Sequence, residues 1–151
     1  MQEEIVFRAA RPEDKPVLSQ MIKALYECLV PGEEYMTDEK INATFDHLFS
    51  PQQQLRLEVF ETDQKIIGYA LLVDYWYNEY GGMVLQLDEL YIAPEARGRG
   101  IASSYIRKIS QDKTYVAIHL EVLPENENAY KLYKHLGFEE KETKLLYRAQ
   151  K

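Results

Sequence analysis

The chain has 151 residues, 46% of them hydrophobic and 28% charged, which suits one folded domain expected to span residues 1–151. A formal net charge of -7 argues against a nucleic-acid partner, because phosphate binding needs a basic face. The start of the chain carries no apolar signal region and no apolar run has the length of a membrane span, so we expect a cytoplasmic protein with no membrane partner.

The first half of the chain predicts a strand, two helices and a hairpin. Residues 5–10 form the strand, and the helical period of residues 11–29 indicates a helix with Pro12 at its first position. The single cysteine, Cys28, lies in this helix and is expected to be buried. Thr37 is placed to cap a second helix. Alternating segments at 55–61 and 66–76, joined by a turn, predict the hairpin.

The second half predicts alternating strands and helices. Strands are expected at 83–92 and 115–122, and helices after Gly100 and at 126–136, where Gly137 favours a helix end. Residues 138–148 are expected to add a last strand or hairpin. This order predicts an α/β (α+β) domain with a mixed, mostly antiparallel twisted sheet and helices on both faces.

A glycine-rich turn joins the strand 83–92 to the next helix, in the sequence Arg97-Gly98-Arg99-Gly100-Ile101-Ala102-Ser103. The first amides of a helix lack partners and attract anions. The two glycines let a bulky phosphate approach, and the two arginines add positive charge at the mouth. An ordinary glycine turn is the alternative. The P-loop and dinucleotide-binding motifs are absent.

Two spaced motifs resemble those of the GNAT superfamily of acetyltransferases. The turn at 97–102 is similar to the family signature R-x-x-G-x-G/A, with Ala102 at the last small position. A second signature, N-x-x-A-x-x-L-Y-x-x-x-G-F, is matched by residues 126–138. The resemblance implies a GNAT-like sheet with a splayed central strand pair, and acetyl-coenzyme A as cosubstrate.

The resemblance also implies which residues bind the coenzyme. The pyrophosphate would lie on the amides of residues 97–103, and the pantetheine arm along the main chain of Leu90, Tyr91 and Ile92. Asn126 and Ala129 would lie near the coenzyme at the far end of the gap. Asn126 has a helix N-cap as its alternative role, and both roles are compatible.

Tyr133 is the candidate donor to the leaving thiolate. The resemblance implies this role, because the family's tyrosine at this helix position lies near the coenzyme sulfur. The helical period independently turns Tyr133 inward with Ala129, Leu132 and Leu136, where its hydroxyl needs a partner. A tyrosine of the core is the alternative.

Two adjacent acids, Asp88 and Glu89, are the candidates for contact with the acceptor amine. In a regular strand they face opposite sides, and Asp88 shares a face with Gln86 and Leu90. Similar acids in the spermidine/spermine branch contact the cationic amine or relay its proton through water. We favour Asp88 and keep Glu89 in reserve. The alternative is that both are solvated or ion-paired.

Aromatic and acidic residues indicate where a cationic amine would bind. Tyr26 and Glu27 resemble the tyrosine-glutamate pair that contacts substrate in the polyamine-acetylating branch, and Tyr77 lies in a loop rich in tyrosine and acids. A polyamine or diamine is therefore the favoured acceptor. Such a loop is also compatible with plain core packing or a dimer contact.

The sequence as a whole predicts an N-acetyltransferase that moves acetyl directly to a primary amine of a small molecule. The alternatives are an aminoglycoside, an amino acid or a protein N-terminus as acceptor, or an acyl-coenzyme A-sensing module without turnover. The three histidines have no ligand spacing, so no metal is expected. Dimers are frequent in such folds, and a homodimer is expected.

Overall fold

The computed structural model describes residues 3–150, which form five strands and four α-helices. The predicted order of elements is confirmed up to the last helix. Short 3₁₀ turns at Pro12–Asp14 and Pro94–Ala96 precede the first and third helices. The elements are β1 (Val6–Ala9), α1 (Lys15–Leu29), α2 (Asp38–Leu48), β2 (Leu55–Thr62), β3 (Lys65–Tyr77), β4 (Gly82–Ile92), α3 (Ile101–Ile109), β5 (Tyr115–Leu120) and α4 (Glu127–His135).

The strands form one mixed sheet in the order β1-β2-β3-β4-β5, with every pair antiparallel except β4 and β5, which run parallel. One core packs α3 against one face of the sheet, around Tyr105 and Ile106, with Tyr133 of α4 at its edge. A second core packs α1 and α2 against the other face, around Leu18 and Phe45. Helices therefore cover both faces, as the sequence predicts.

An irregularity in β4 changes which residues face each core. Leu71 pairs with Glu89 while Leu72 pairs with Leu87, so Asp88 is an extra residue in β4. Leu87 and Leu90 consequently both pack on the α3 face. In a regular strand these two residues would point to opposite faces. The expected face for Asp88, shared with both Gln86 and Leu90, is therefore wrong.

The parallel strands β4 and β5 separate part of the way along. Their pairing runs from Met83 with Tyr115 to Leu87 with Leu120, and β5 ends there. β4 continues to Ile92, paired only with β3. The side of residues 88–92 that faces away from β3 is consequently open, as expected for a splayed central pair.

Two further expectations from the sequence are wrong. Residues 138–148 contain no strand, and residues 139–150 are exposed throughout. Cys28 is exposed, because it lies on the side of α1 away from the core residues Leu18 and Ile22. The missing strand leaves the outer edge of β5 without a neighbour within the described residues.

Candidate functional site

The glycine turn presents a row of amides that have no acceptor. Gly98 and Gly100 have φ angles of 79° and 75°, in the left-handed region that favours glycine, and open space surrounds the position of a Cβ at both. Ser104 donates its amide to the carbonyl of Gly100 at 3.0 Å. Among residues 3–150 no hydrogen-bond acceptor is recorded for the amides of residues 98–103. Successive unpaired amides at a helix start form a site for an anion.

The two arginines of the turn are engaged by the protein itself. Arg97 donates through Nε to the carbonyl of Ile92 at 2.9 Å, and its guanidinium lies 5.6 Å from the centre of the Tyr91 ring. Arg99 donates to the carbonyl of Glu95 at 3.3 Å. Both side chains thus brace the turn from outside, and the amides are the free donors.

The open side of β4 leads along the chain into the 3₁₀ turn and the glycine turn. Its residues Leu90, Tyr91 and Ile92 are the ones predicted to bind the pantetheine arm by their main chain, and the carbonyl of Ile92 is taken by Arg97. Asn126 caps α4, because its side-chain oxygen accepts the amide of Ala129 at 3.2 Å. The capping role of Asn126 is therefore confirmed, and its contact with a coenzyme stays a prediction.

Tyr133 combines a partly buried ring with a hydroxyl that has no hydrogen-bond partner among residues 3–150. Its ring contacts Phe138 edge-on at 5.8 Å between centroids, and burial raises the pKa of its phenol. The residue lines a cleft of about 1280 Å³ that runs along β5, α4 and the segment after α4. A neutral tyrosine hydroxyl in a cleft is able to donate a hydrogen bond to a ligand.

Asp88, the extra residue of β4, lies just beyond the last paired residues of β4 and β5, and its side chain is exposed. Glu121 is the first residue after β5. Although Asp88 reaches solvent, the protein atoms around its carboxyl exclude part of the water, and this desolvation and then the charge of Glu121 raise the pKa of Asp88. Two carboxylates thus stand together where the strands separate. Sequence reasoning missed Glu121, although it lies inside the predicted strand 115–122, which was expected to splay from its neighbour.

Glu89 is buried, with 9% of its surface exposed, and accepts two hydrogen bonds. Tyr69 donates to Oε1 at 2.7 Å and Tyr26 donates to Oε2 at 2.8 Å. Burial raises the pKa of Glu89, while the two hydroxyls act in the opposite direction. Tyr26, which the sequence predicts to bind substrate, is therefore hydrogen-bonded to Glu89. Its ring also stacks on that of Tyr35, with 6.0 Å between the ring centroids. Sequence reasoning did not identify Tyr69.

A second aromatic group surrounds His119 of β5. The hydroxyl of Tyr75 lies 2.7 Å from Nδ1 of His119, and the rings of Tyr77 and Tyr80 lie 5.2 and 5.8 Å from the imidazole. Nε2 is buried without a recorded partner. The pKa of His119 is lowered by burial and then by Lys141. The predicted substrate residue Tyr77 thus belongs to an aromatic wall that includes His119.

Glu27 lies apart from the cleft. Its Oε1 accepts the amide of Gly32 at 3.2 Å, and it lines a separate cavity of about 340 Å³ together with Tyr26, Tyr35 and Met36. Tyr26 connects the two regions, because its ring lines this cavity and its hydroxyl reaches Glu89. The structure does not bring Glu27 together with Asp88 or Tyr133 in one cavity.

Within residues 3–150, no cluster of three or more His, Cys, Asp or Glu side chains is arranged to hold a metal ion. No helix in the same range is both long and apolar enough to cross a membrane.

The splayed strand pair next to a helix start with free amides defines the fold class that the sequence motifs predict. A family model described as "Acetyltransferase (GNAT) family" matches residues 18–138. The chain therefore belongs to the GNAT acetyltransferase family.

Curated relatives match about half of the chain. A protein named thialysine N-epsilon-acetyltransferase from Bos taurus is 37% identical over 75 residues, which cover 48% of this chain and 44% of that protein. An uncharacterized N-acetyltransferase of Methanocaldococcus jannaschii is 33% identical over 88 residues, covering 56% and 39% of the two chains. The matched part thus spans less than half the length of these relatives.

Solved structures share the fold over nearly the whole chain. A possible acetyltransferase from Clostridium difficile 630 superposes with a TM-score of 0.82 at 23% identity, covering 98% of this chain and 99% of that one. The aminoglycoside N-acetyltransferase AAC(6')-Iy, solved in complex with CoA, superposes with a TM-score of 0.74 at 21% identity, covering 99% and 97%. At these identities the likeness establishes the fold.

Proposed function

We propose that the protein is an acetyl-coenzyme A-dependent N-acetyltransferase, acting as one domain on a primary amine of a small cationic molecule. The observation that carries the proposal is the set of unpaired amides at residues 98–103 beside the open edge of β4. The family membership of the chain and the names of its curated relatives support it.

The residues fit the shape of the coenzyme. The free amides and the two open glycines suit a diphosphate, which needs several donors and close approach of the backbone. The open side of residues 88–92 suits the pantetheine arm, because its amides can pair with an exposed strand edge as a peptide does. The thioester supplies an activated acetyl group when it is bound in this gap.

Tyr133 is proposed to act on the leaving thiolate. Its hydroxyl is in the cleft and has no recorded protein partner in residues 3–150, and the raised pKa keeps it protonated at neutral pH. A protonated hydroxyl stabilises a developing thiolate by donating a hydrogen bond or a proton. Direct transfer to the amine is proposed, since no activated nucleophile lies in the cleft.

Asp88 and Glu121 are proposed to bind the acceptor ammonium. Two carboxylates that repel each other are stabilised by a cation between them, and both lie just past the point where β4 and β5 stop pairing. A carboxylate is a poor base for an ammonium, so the proton is proposed to leave through water. Glu89 is proposed to position Tyr26, because both of its oxygens accept tyrosine hydroxyls.

The aromatic wall is proposed to hold a second positive charge of the acceptor. Tyr77 offers an aromatic ring, and Glu79 lies in the turn between β3 and β4, whereas the ring of Tyr80 already has the ammonium of Lys141 at 4.9 Å from its centre. This favours a polyamine, a diamine or another ω-aminoalkyl compound. We further propose that the protein works as a homodimer in the cytoplasm.

A screen of acetyl-coenzyme A consumption across acceptors tests the proposal. Spermidine, short diamines, thialysine, aminoglycosides, single amino acids and peptides with free N-termini form the panel, with product mass confirming the acetylated nitrogen. Turnover of at least one dicationic amine well above monoamines is expected. Tight coenzyme binding without turnover of any acceptor would favour the acyl-coenzyme A-sensing alternative, and absence of coenzyme binding would refute both.

A further inference from the structure

The segment after α4 places a positive charge of the protein itself on the aromatic wall around His119. The ammonium of Lys141 lies 4.9 Å from the centre of the Tyr80 ring, within the range of a cation–π interaction. The contact with Tyr80, followed by the charge of Glu79, raises the pKa of Lys141 and keeps it positively charged. The wall thus already holds one alkylammonium group.

The backbone before Lys141 is fastened to α4. The amide of Phe138 donates to the carbonyl of Tyr133 at 3.0 Å, and the hydroxyl of Tyr130 donates to Glu140 at 3.2 Å. Lys141 follows Glu140 directly, so its backbone is held beside the wall. A group tethered over so short a distance has an effective concentration on the order of millimolar. Its ammonium therefore competes with a cation that arrives from solution.

The imidazole of His119 lies close enough to sense this charge. Burial and then Lys141 lower the pKa of His119, whereas Glu79 acts in the opposite direction. The hydroxyl of Tyr75 lies 2.7 Å from Nδ1, and Nε2 is buried without a recorded partner in the described chain. A protonated imidazole would leave the Nε2 proton unpaired, so the neutral form is favoured and Lys141 supplies the positive charge at the wall.

The wall and the acid pair, Asp88 and Glu121, are separated by two residues along β4 and β5. Gln86 of β4 pairs with His119 of β5, and each acid follows its strand's member of this pair by two residues. Two residues advance an extended strand by about 7 Å. An acceptor with one amine at the acid pair would therefore reach the wall with a second charge if a short alkyl chain joined its two nitrogens.

We propose that Lys141 occupies the place of the acceptor's second ammonium and thereby sets the preference of the enzyme between acceptors. The proposal rests on the acetyl transfer proposed above, because it concerns selectivity among amines. Two ammonium groups cannot share the ring of Tyr80, since like charges repel at this distance. A dicationic acceptor must consequently displace Lys141, whereas a monoamine bound by the acid pair leaves Lys141 in place.

Displacement of Lys141 has a small cost. The residue is exposed, and its long side chain can turn into water while its backbone stays in place. A cation–π contact at an exposed site is weak, and a competing contact of that strength changes affinity by about threefold. Lys141 therefore reduces the advantage of a second charge on the acceptor and does not abolish binding of a dication.

A magnetic-resonance pH titration of His119, in the full chain without coenzyme or acceptor, tests the contact itself. Lys141→Met removes the charge from an exposed side chain and is expected to raise the pKa of His119 relative to wild type. Lys141→Arg keeps the charge and should leave that pKa low. Lys144→Met is the matched control, because Lys144 lies in the same exposed segment and has no recorded contact with the wall in the described residues. The three tyrosines of the wall also face the imidazole and are the same in all variants.

Titration with tetramethylammonium chloride tests the site with a cation that cannot be acetylated. Binding is followed by the ring signals of Tyr77 and Tyr80. Lys141→Met is expected to bind the probe about threefold more tightly than wild type, because no internal ammonium has to be displaced. Lys144→Met should match wild type.

Steady-state kinetics tests the consequence for acceptors. Lys141→Met is expected to lower the KM for short diamines by about threefold, for the same reason. The KM and kcat for monoamines should stay at their wild-type values. Lys144→Met should change none of these constants.

The proposal is overturned by an unchanged pKa of His119 in Lys141→Met, by an unchanged affinity for tetramethylammonium, or by a KM for diamines that stays the same or rises. If no variant acetylates any amine, the proposed function fails. The two titrations need no turnover, so they still decide whether Lys141 fills a cation site.

Discussion

The hydroxyl of Tyr26 on α1 donates to Oε2 of Glu89 on β4 at 2.8 Å, across 63 positions of sequence. The contact depends on the extra residue Asp88, which turns Glu89 toward α1 when regular alternation would turn it toward α3. The hydrogen bond thereby joins α1, which lines the cavity around Glu27, to β4, which borders the larger cleft. The pair offers the first test of the site.

Tyr26→Phe is expected to destabilise the protein by about 1–3 kcal/mol, because buried Glu89 loses one of its two donors. Equilibrium unfolding in urea at pH 7 measures the change. Tyr35→Phe is the control, since Tyr35 stacks on Tyr26 without donating to Glu89. Equal losses in the two variants would show that the hydroxyl contact contributes no stability.

Replacement of Glu89 by Gln tests the charge state of the buried carboxyl. Burial raises the pKa of Glu89 above its value in the unfolded chain, so the folded state binds the proton more tightly. The contribution of Glu89 to stability is therefore full below the unfolded pKa and declines as pH rises through the folded pKa. The free energy of unfolding of Glu89→Gln relative to wild type is expected to increase with pH from about pH 4 upward.

Urea unfolding at a series of pH values from 4 to 7.5 measures this difference. Glu139→Gln removes one exposed carboxyl and serves as the control. The prediction fails if the Glu89→Gln curve runs parallel to that of wild type over the whole range.

Gly100→Val tests the anion site. Gly100 has a φ of 75° and precedes the first amides of α3, so a branched side chain strains the backbone and crowds the ligand. Affinity for coenzyme A, measured by titration calorimetry, is expected to fall at least tenfold. Gly32→Val introduces the same strain at a φ of 80° outside the cleft, and should leave coenzyme affinity unchanged. Unaltered affinity in Gly100→Val would exclude the turn as the diphosphate site.

Tyr133→Phe is expected to lower kcat by about 10²-fold, the lower end for general acid catalysis, while the KM for acetyl-coenzyme A changes little. The ring and its contact with Phe138 are kept, so only the hydroxyl is lost. Tyr130→Phe, three residues earlier in α4, is the control for removing a tyrosine hydroxyl from this helix. A kcat equal to that of wild type would remove Tyr133 from the mechanism.

Asp88→Asn is expected to raise the KM for dicationic amines more than the KM for monoamines. A dicationic acceptor stays charged after its reacting amine has lost a proton, so the two carboxylates attract it more than a monoamine. The variant leaves only the charge of Glu121. Glu121→Gln should give the same pattern, and Glu125→Gln in the following loop is the control. An equal increase for both kinds of amine would argue against recognition of charge by this pair.

Local patterns in the sequence were sufficient for most of the fold. Helical and alternating periods placed nine of the elements, and Thr37 caps its helix as expected, accepting the amide of Lys40 at 3.3 Å. The glycine turn was also readable from sequence, because positive φ at Gly98 and Gly100 is a property of the residues themselves. These features depend on residues that are close together in the sequence, so a local pattern is enough to predict them.

The sequence by itself therefore determined the family, the order of elements and the glycine turn at the start of α3. The tertiary structure decided that Asp88 is exposed where β4 and β5 separate and that Glu89 is buried against α1. Alternation along β4 predicts the wrong face for Asp88, because a bulge depends on pairing with β3 and not on β4 alone. Glu121, Tyr69 and the free edge of β5 were likewise set by contacts between distant segments, which no local period records.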